Sequence, residues 1–200
     1  MNFLAHIYLS FDYEQIRIGN FIADGVRGNK YKHLPENIQK GIVLHRAIDS
    51  YTDTHPIVKQ SILKLRPHHG LYSGVIVDIF YDHFLAKNWK DYHEQPLWEY
   101  VSDFYELVAA YDPYLPPKVK HMMPYMTSGN WLLNYAKIDG IARVLKGMDG
   151  RTKGKSKMAL AIVDLETHYS EFENEFTLFF EEVQVFARQR LDSLMDSYKI

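Results

Sequence analysis

The side chains able to do chemistry concentrate in two short windows of this 200-residue chain. In residues 35–54, His45, Asp49 and Asp53 follow one another at four-residue steps. At 100° per residue, His45, Asp49 and Thr52 fall within about 40° of Ile38, and Asp53 within about 60°. Ile38 and Ile42 define the inner stripe of this segment, so the polar groups share its core-facing side. In residues 71–89, Leu71, Val75, Asp78, Asp82, Leu85 and Trp89 fall on one stripe, with His83 beside them. Asp78 and Asp82 stand one helical turn apart, where like charges repel.

Unpaired buried carboxylates cost several kcal/mol each. Four aspartates and two histidines on core-facing positions therefore require a partner, and a divalent cation is an economical one. Imidazole and carboxylate ligands suit Mn²⁺, Fe²⁺ or Mg²⁺. Each residue also has a plainer reading. His45 alone could be a satisfied core histidine, and Asp53 a helix-end residue. Asp24, in Gly19-Asn20-Phe21-Ile22-Ala23-Asp24, reads equally as a ligand or as a helix-end hydrogen-bonding group. His6 reads as ligand or core, and Arg46 as a phosphate holder or a solvated cation. His68, His69 and His168 read as surface residues. The chain has no Glu-x-x-His pair of the di-iron bundle kind, no His-Glu-x-x-His, no Gly-x-Ser-x-Gly and no P-loop.

The elements that would position these groups read as helices throughout. Period-2 alternation is nowhere sustained, whereas 3.6-residue periodicity is common. Asp12 with Gln15 suggests a capping-box start for a helix ending near Gly25–Gly28. Pro35 and Glu36 suit the first turn of a helix running to about Thr54, since Pro56 biases His55 out of the helical region. Arg66–Gly70 reads as a loop, followed by a strongly apolar helix over Leu71–Trp89. Another helix spans about Pro96 to Tyr111, and Pro113, Pro116 and Pro117 read as a linker. Helical segments follow near 128–135 and 139–148. At the C-terminus Leu165, Tyr169, Phe172, Phe176, Phe179, Val183 and Phe186 are spaced 4-3-4-3-4-3. That is one apolar stripe on a helix expected over 156–198, about 60 Å long. It predicts a core-crossing helix, with a dimer seam as the alternative. The glutamates between Glu166 and Glu182 read as a solvated face.

Composition narrows the class. Hydrophobic residues make up 46% and charged residues 24%, which excludes a disordered chain. The length fits one domain, taken as residues 1–200. The absence of cysteine excludes a disulfide scaffold, a zinc ribbon, a thiol nucleophile and an iron–sulfur cluster. A net charge of −2 disfavours a globally basic nucleic-acid binder. No apolar run approaches a membrane span, and the first residues do not read as a signal peptide. The expectation is an all-α, single-domain bundle in the cytoplasm.

Four blocks then match a known pattern: Met-Asn-Phe-Leu-Ala-His at 1–6, Gly-Asn-x-x-Ala-Asp-x-x-Arg-Gly at 19–28, Gly-Ile-x-x-His-Arg-x-Ile-Asp-x-x-Thr-Asp at 41–53, and Asp-x-x-x-Asp-His-Phe-Leu at 78–85. In this order they resemble the acyl carrier protein phosphodiesterase family. Trp131-Leu132-x-x-Tyr135 and Gly147-Met148 are similar to its later segments. The resemblance implies a divergent member of the all-helical HD phosphohydrolase superfamily. It implies hydrolysis of the phosphodiester joining 4′-phosphopantetheine to a serine of holo-acyl carrier protein, with a divalent cation, Mn²⁺ first among the choices. The adjacent pair here is Asp82-His83, the reverse of the usual HD order, so residues are placed only within the family's own blocks. On that basis Asp24, His45, Asp49, Asp78 and Asp82 are the expected metal ligands. Arg46, Asp53 and His83 are the expected catalytic groups, Arg46 to pair with phosphate and His83 to protonate the leaving serine oxygen.

The acidic partner that the resemblance implies has a counterpart in residues 143–157. Arg143, Lys146, Arg151, Lys153, Lys155 and Lys157 face only one acid, Asp149, and glycines at 147, 150 and 154 suggest a mobile basic loop. Such a loop would steer an acidic helical protein. Neither nucleic acid nor membrane is an expected partner; a homodimer is an open alternative. Two other functions compete: an HD-type nucleotide or alarmone phosphohydrolase, and a non-catalytic helical binding module with a structural cation.

Overall fold

The computed structural model describes residues 1–196, and every regular element among them is helical. Short helices α1 (Phe3–Tyr8) and α2 (Glu14–Ile22) precede α3 (Glu36–Thr54). Helix α3 starts after Pro35 and stops where Pro56 holds His55 extended, at φ −67° and ψ 133°. Pro56 then opens α4 (Pro56–His69) as its first residue. Helix α5 (Ser73–Lys87) follows one 3₁₀ turn later. The chain continues through α6 (Leu97–Ala110), α7 (Pro117–Ser128), the single turn α8 (Trp131–Asn134), α9 (Ile138–Arg151), α10 (Ala161–Thr167) and α11 (Tyr169–Asp196).

One continuous apolar cluster runs through all of these elements. Helix α11 supplies its spine. Phe172, Phe176, Phe179 and Val183 are fully buried. Their rings meet α5 at Phe80–Phe172 (5.2 Å between centroids) and Tyr81–Phe176 (5.7 Å), and Phe186 stacks on Tyr51 of α3 at 4.3 Å. Each such side chain is worth about 1.5–3 kcal/mol on burial. The stripe expected from the 4-3 spacing is therefore consumed in the chain's own core, which removes the reason for a dimer seam.

Glycine allows the close crossing of α2 and α3. A Cβ built on Gly19 of α2 would lie 2.9 Å from the Cα of Gly41 of α3, and one on Gly41 would lie 2.9 Å from the Asn20 amide nitrogen. Side chains at either position would force the two backbones apart. Their absence brings Asn20 against His45.

Several boundaries differ from the sequence expectation. Helix α2 begins at Glu14 after Tyr13, with no side-chain cap, so Asp12 is not its cap. Arg66–His69 is the last turn of α4, not a loop; Pro67 is accommodated there, and Gly70 closes the helix at φ +54°. The proline linker is short, because Pro117 is the first residue of α7. Leu71 and Val75 are exposed, so the inner stripe of α5 begins only at Asp78. The long C-terminal helix is broken at His168, leaving α11 with 28 residues, about 42 Å. Its expected end at Tyr198 lies outside the described residues. The basic segment is no mobile loop: residues 143–151 belong to α9, and Asp149 pins the following turn by accepting from Ser156 Oγ (2.6 Å) and Met158 N (3.2 Å). Four of the glutamates expected on a solvated face are paired instead: Glu171 and Glu175 with Lys64, Glu173 with Lys87, and Glu182 with His55. No helix among the described residues is long and apolar enough to cross a membrane.

Candidate metal centre

Helices α1, α2, α3 and α5 converge on one polar cluster at the edge of the core. His6 of α1 and His45 of α3 stack face to face, with ring centroids 3.9 Å apart. Asp49, one turn after His45, serves both rings: its Oδ1 lies 3.1 Å from His6 Nε2 and its Oδ2 lies 3.1 Å from His45 Nε2. Asp24 Oδ1 approaches the same His45 Nε2 at 3.4 Å. His6 and His45 are buried, while Asp49 is half-buried and Asp24 exposed, so the cluster opens toward solvent.

A second set of hydrogen bonds fixes the His45 tautomer. The Asn20 side chain donates through Nδ2 to His6 O (2.8 Å) and Ser10 Oγ (2.9 Å). Its Oδ1 is therefore the acceptor that faces His45 Nδ1 at 3.1 Å. His45 must donate from Nδ1, which turns the Nε2 position toward the Asp24 and Asp49 carboxylates. A bare Nε2 lone pair against two carboxylates is repulsive. It needs a proton or a cation, and this orientation of imidazole by an outer hydrogen bond is how metal-ligating histidines are held.

Electrostatics agree. Burial opposes charge on His45, but hydrogen bonds to Asp24 and Asp49 outweigh it and lift its pKa to about 9. His6 goes the other way, to about 4, through burial and then the adjacent charge of His45. Burial works against ionisation of Asp49, yet its bonds to His45 and His6 hold its pKa well below the usual carboxylate range. The donor set His6–His45–Asp49, with Asp24 beside it, fits a divalent cation in both ligand type and mutual spacing.

Helix α5 contributes from below. The Met1 ammonium lies 3.0 Å from Asp78 Oδ1 and 3.6 Å from Asp49 Oδ1, linking the two aspartates. Asp82 is fully buried and caps α1: its carboxylate accepts from the amides of Leu4 (2.8 Å) and Ala5 (3.1 Å). Burial raises the pKa of Asp82 to about 7, against those two hydrogen bonds. Asp82 thereby fixes the helix that carries His6.

Comparison with known proteins supplies the context. The family model described as acyl carrier protein phosphodiesterase matches residues 1–183. The chain belongs to the acyl carrier protein phosphodiesterase family. Relatives carrying that name include one from Enterobacter sp. (strain 638), 36% identical over 191 residues, covering 95% of this chain and 99% of the relative. One from Klebsiella pneumoniae (strain 342) is 34% identical over the same span and coverage. One from Yersinia pestis is 33% identical over 181 residues, covering 90% of this chain and 94% of the relative. No solved structure matches.

Within this member of the acyl carrier protein phosphodiesterase family, the expected site residues separate into groups. His45, Asp49 and Asp24 come together directly, and Asp78 joins through the Met1 ammonium. Asp53, exposed at the end of α3, is near enough to add to the field at Asp78. Arg46 points elsewhere: its Nη2 donates to the carbonyls of Val26 (3.2 Å) and Gly28 (2.7 Å), and its guanidinium stacks on Tyr31. His83 is not in the cluster. Its Nδ1 donates to Tyr135 O (2.7 Å), and its Nε2 accepts from the Tyr169 hydroxyl (2.8 Å). Sequence reasoning left His6 undecided and passed over Asn20. The only available signal was that both stand inside the blocks shared with the family.

Proposed function

We propose that this chain hydrolyses the 4′-phosphopantetheine–serine phosphodiester of holo-acyl carrier protein, using a divalent cation held by His6, His45 and Asp49. Asp24 and Asp78 complete the acidic rim. Mn²⁺ is the first choice, with Mg²⁺ and Fe²⁺ as the other ions of suitable ligand preference. The observation that carries the reading is His45 Nε2, aimed between two carboxylates by the Asn20 bond behind it. Such a cation, when bound, lowers the pKa of a water and offsets charge on phosphoryl oxygens.

The chain's own groups do the rest. Asp82 holds α1, and with it His6, through two backbone amides. We keep Asp53, exposed at the end of α3 and close enough to act electrostatically on Asp78, as the proposed acceptor of a proton during the reaction. Arg46 could meet a phosphate only by leaving the Val26 and Gly28 carbonyls, so we assign it first to holding residues 26–28. His83 has both ring nitrogens engaged, and we assign it to positioning α5 against Tyr135 and Tyr169. The six cations of 143–157 are all exposed on α9 and the turn after it. They are the proposed docking face for an acidic carrier protein, with the cytoplasm as the proposed compartment.

Intact-protein mass spectrometry tests the reaction. Holo-acyl carrier protein incubated with this chain and Mn²⁺ should lose the mass of phosphopantetheine, and EDTA should prevent the loss. An unchanged mass with folded, metal-loaded protein would overturn the assignment.

A further inference from the structure

A second cluster of metal-ligating side chains lies between α4 and α10, among groups the proposed reaction does not use. His68 and His69 close α4, and both converge on the same carboxylate. His68 Nδ1 is 3.0 Å from Asp164 Oδ1, and His69 Nε2 is 2.8 Å from Asp164 Oδ2. The two rings stand nearly perpendicular, at 87° with centroids 6.2 Å apart. Neighbours on a regular helix point about 100° apart and do not face a common target. Here Pro67 occupies the final turn of α4, and Gly70, at φ +54°, turns the chain away immediately afterwards. The helix end is thus shaped so that consecutive histidines grip one aspartate.

The three residues differ in exposure in a way that defines a mouth. The side chain of His69 is buried and that of Asp164 mostly so, while His68 is 68% exposed. One donor atom from each lies within 4.8 Å of the others. The expectation that both histidines lie on the surface holds for His68 and fails for His69, which is buried. We propose that His68, His69 and Asp164 bind a borderline divalent ion of the Zn²⁺ type, clamping α10 to α4. Two imidazoles and one carboxylate favour such an ion over Mg²⁺ or Ca²⁺, which prefer all-oxygen shells. Three protein donors leave at least one coordination position, and the exposed His68 edge places it toward water. The clamp has mechanical sense. Helix α10 has only seven residues, too few for a helix to hold itself, and stands between the turn that Asp149 pins and the start of α11. The inference is independent of the proposed reaction, since none of the three residues belongs to the His6–His45–Asp49 cluster.

The test uses Zn²⁺ as the probe on full-length protein after dialysis against chelator. Four forms are compared: wild type, Asp49→Asn to impair the first cluster, His68→Ala, and the Asp49→Asn/His68→Ala double variant. His68 is exposed, so its removal should not unfold the chain. Isothermal titration should give one Zn²⁺ equivalent more in Asp49→Asn than in the double variant. With Zn²⁺ a hundredfold above its Kd, the Tm of Asp49→Asn should rise by about 5 °C or more, and that rise should vanish in the double variant. Asp164→Asn should abolish the same increment. Equal stoichiometry and equal Tm shifts with and without His68 would overturn the site. So would a failure of Asp49→Asn to take up Zn²⁺ at all. Either result would leave the phosphodiesterase assignment standing, because that assignment is read by mass spectrometry with Mn²⁺.

Discussion

Binding of a cation at His45 must displace a proton, and the structure sets how much that costs. Asp24 and Asp49 lift the His45 pKa to about 9 when no cation is present. The proton and the cation compete for the same Nε2, because Nδ1 is committed to Asn20. At pH 7 the group is about two units below its pKa, so apparent affinity is reduced about a hundredfold, or about 2.7 kcal/mol. Affinity should then rise about tenfold per pH unit from pH 6 to 8 and level off above about 9. His6 adds no proton over this range, since its pKa is about 4 and it is already neutral. Asp24 and Asp49, both shifted downward, are already ionised. The assay is isothermal titration with Mn²⁺ in buffers of different ionisation enthalpy, which counts protons directly. About one proton should leave per Mn²⁺ bound at pH 7. No proton release, with affinity flat between pH 6 and 8, would refute His45 as a ligand and with it the metal centre as drawn.

Four further outcomes follow from the same geometry. Asn20→Ala should weaken Mn²⁺ binding about 10–100-fold by freeing the His45 tautomer, measured by the same titration on a protein whose circular dichroism is unchanged. Without metal, His45 stabilises the fold at low and neutral pH; because its pKa is raised, that contribution is whole below about 6.5 and lost as pH rises through about 9, which thermal melts across that window will show. Gly41→Ala should destabilise by about 3 kcal/mol, since the new methyl meets the α2 backbone at Ile16 and Asn20; a Tm within 1 °C of wild type, taken as a shift of about zero, would contradict the close crossing. His83→Gln should lower Tm while leaving kcat within about tenfold, because His83 bridges Tyr135 and Tyr169; a fall of about a thousandfold in kcat with metal content intact would return the leaving-group proton to His83.

Helical periodicity and proline placement were enough to read the architecture. Pro35 and Pro56 bound α3 because proline lacks an amide hydrogen and restrains its neighbour, effects that act locally. The 4-3 spacing of Phe172, Phe176, Phe179 and Val183 marks a buried face for the same local reason. Periodicity also brought His45 and Asp49 onto one face, and the structure joins them at 3.1 Å. It misjudged places where a local rule is overridden by packing: Pro67 inside the last turn of α4, and His168 breaking what reads as one helix.

What the tertiary fold alone decided is which polar groups meet. Asp78 and Asp82 look equivalent in sequence, one turn apart on α5. Packing gives Asp78 the Met1 ammonium and the edge of the open cluster, and gives Asp82 the amides of Leu4 and Ala5 in the closed core. His6 and His83 are both histidines near apolar residues; one stacks on His45 of α3, and the other is locked between Tyr135 and Tyr169. Asn20 draws its meaning from the glycine crossing of α2 and α3, which no local pattern announces. A side chain's periodicity tells which way it points from its own helix. Which partner waits there depends on contacts more than 20 residues away, and those exist only once the core has closed.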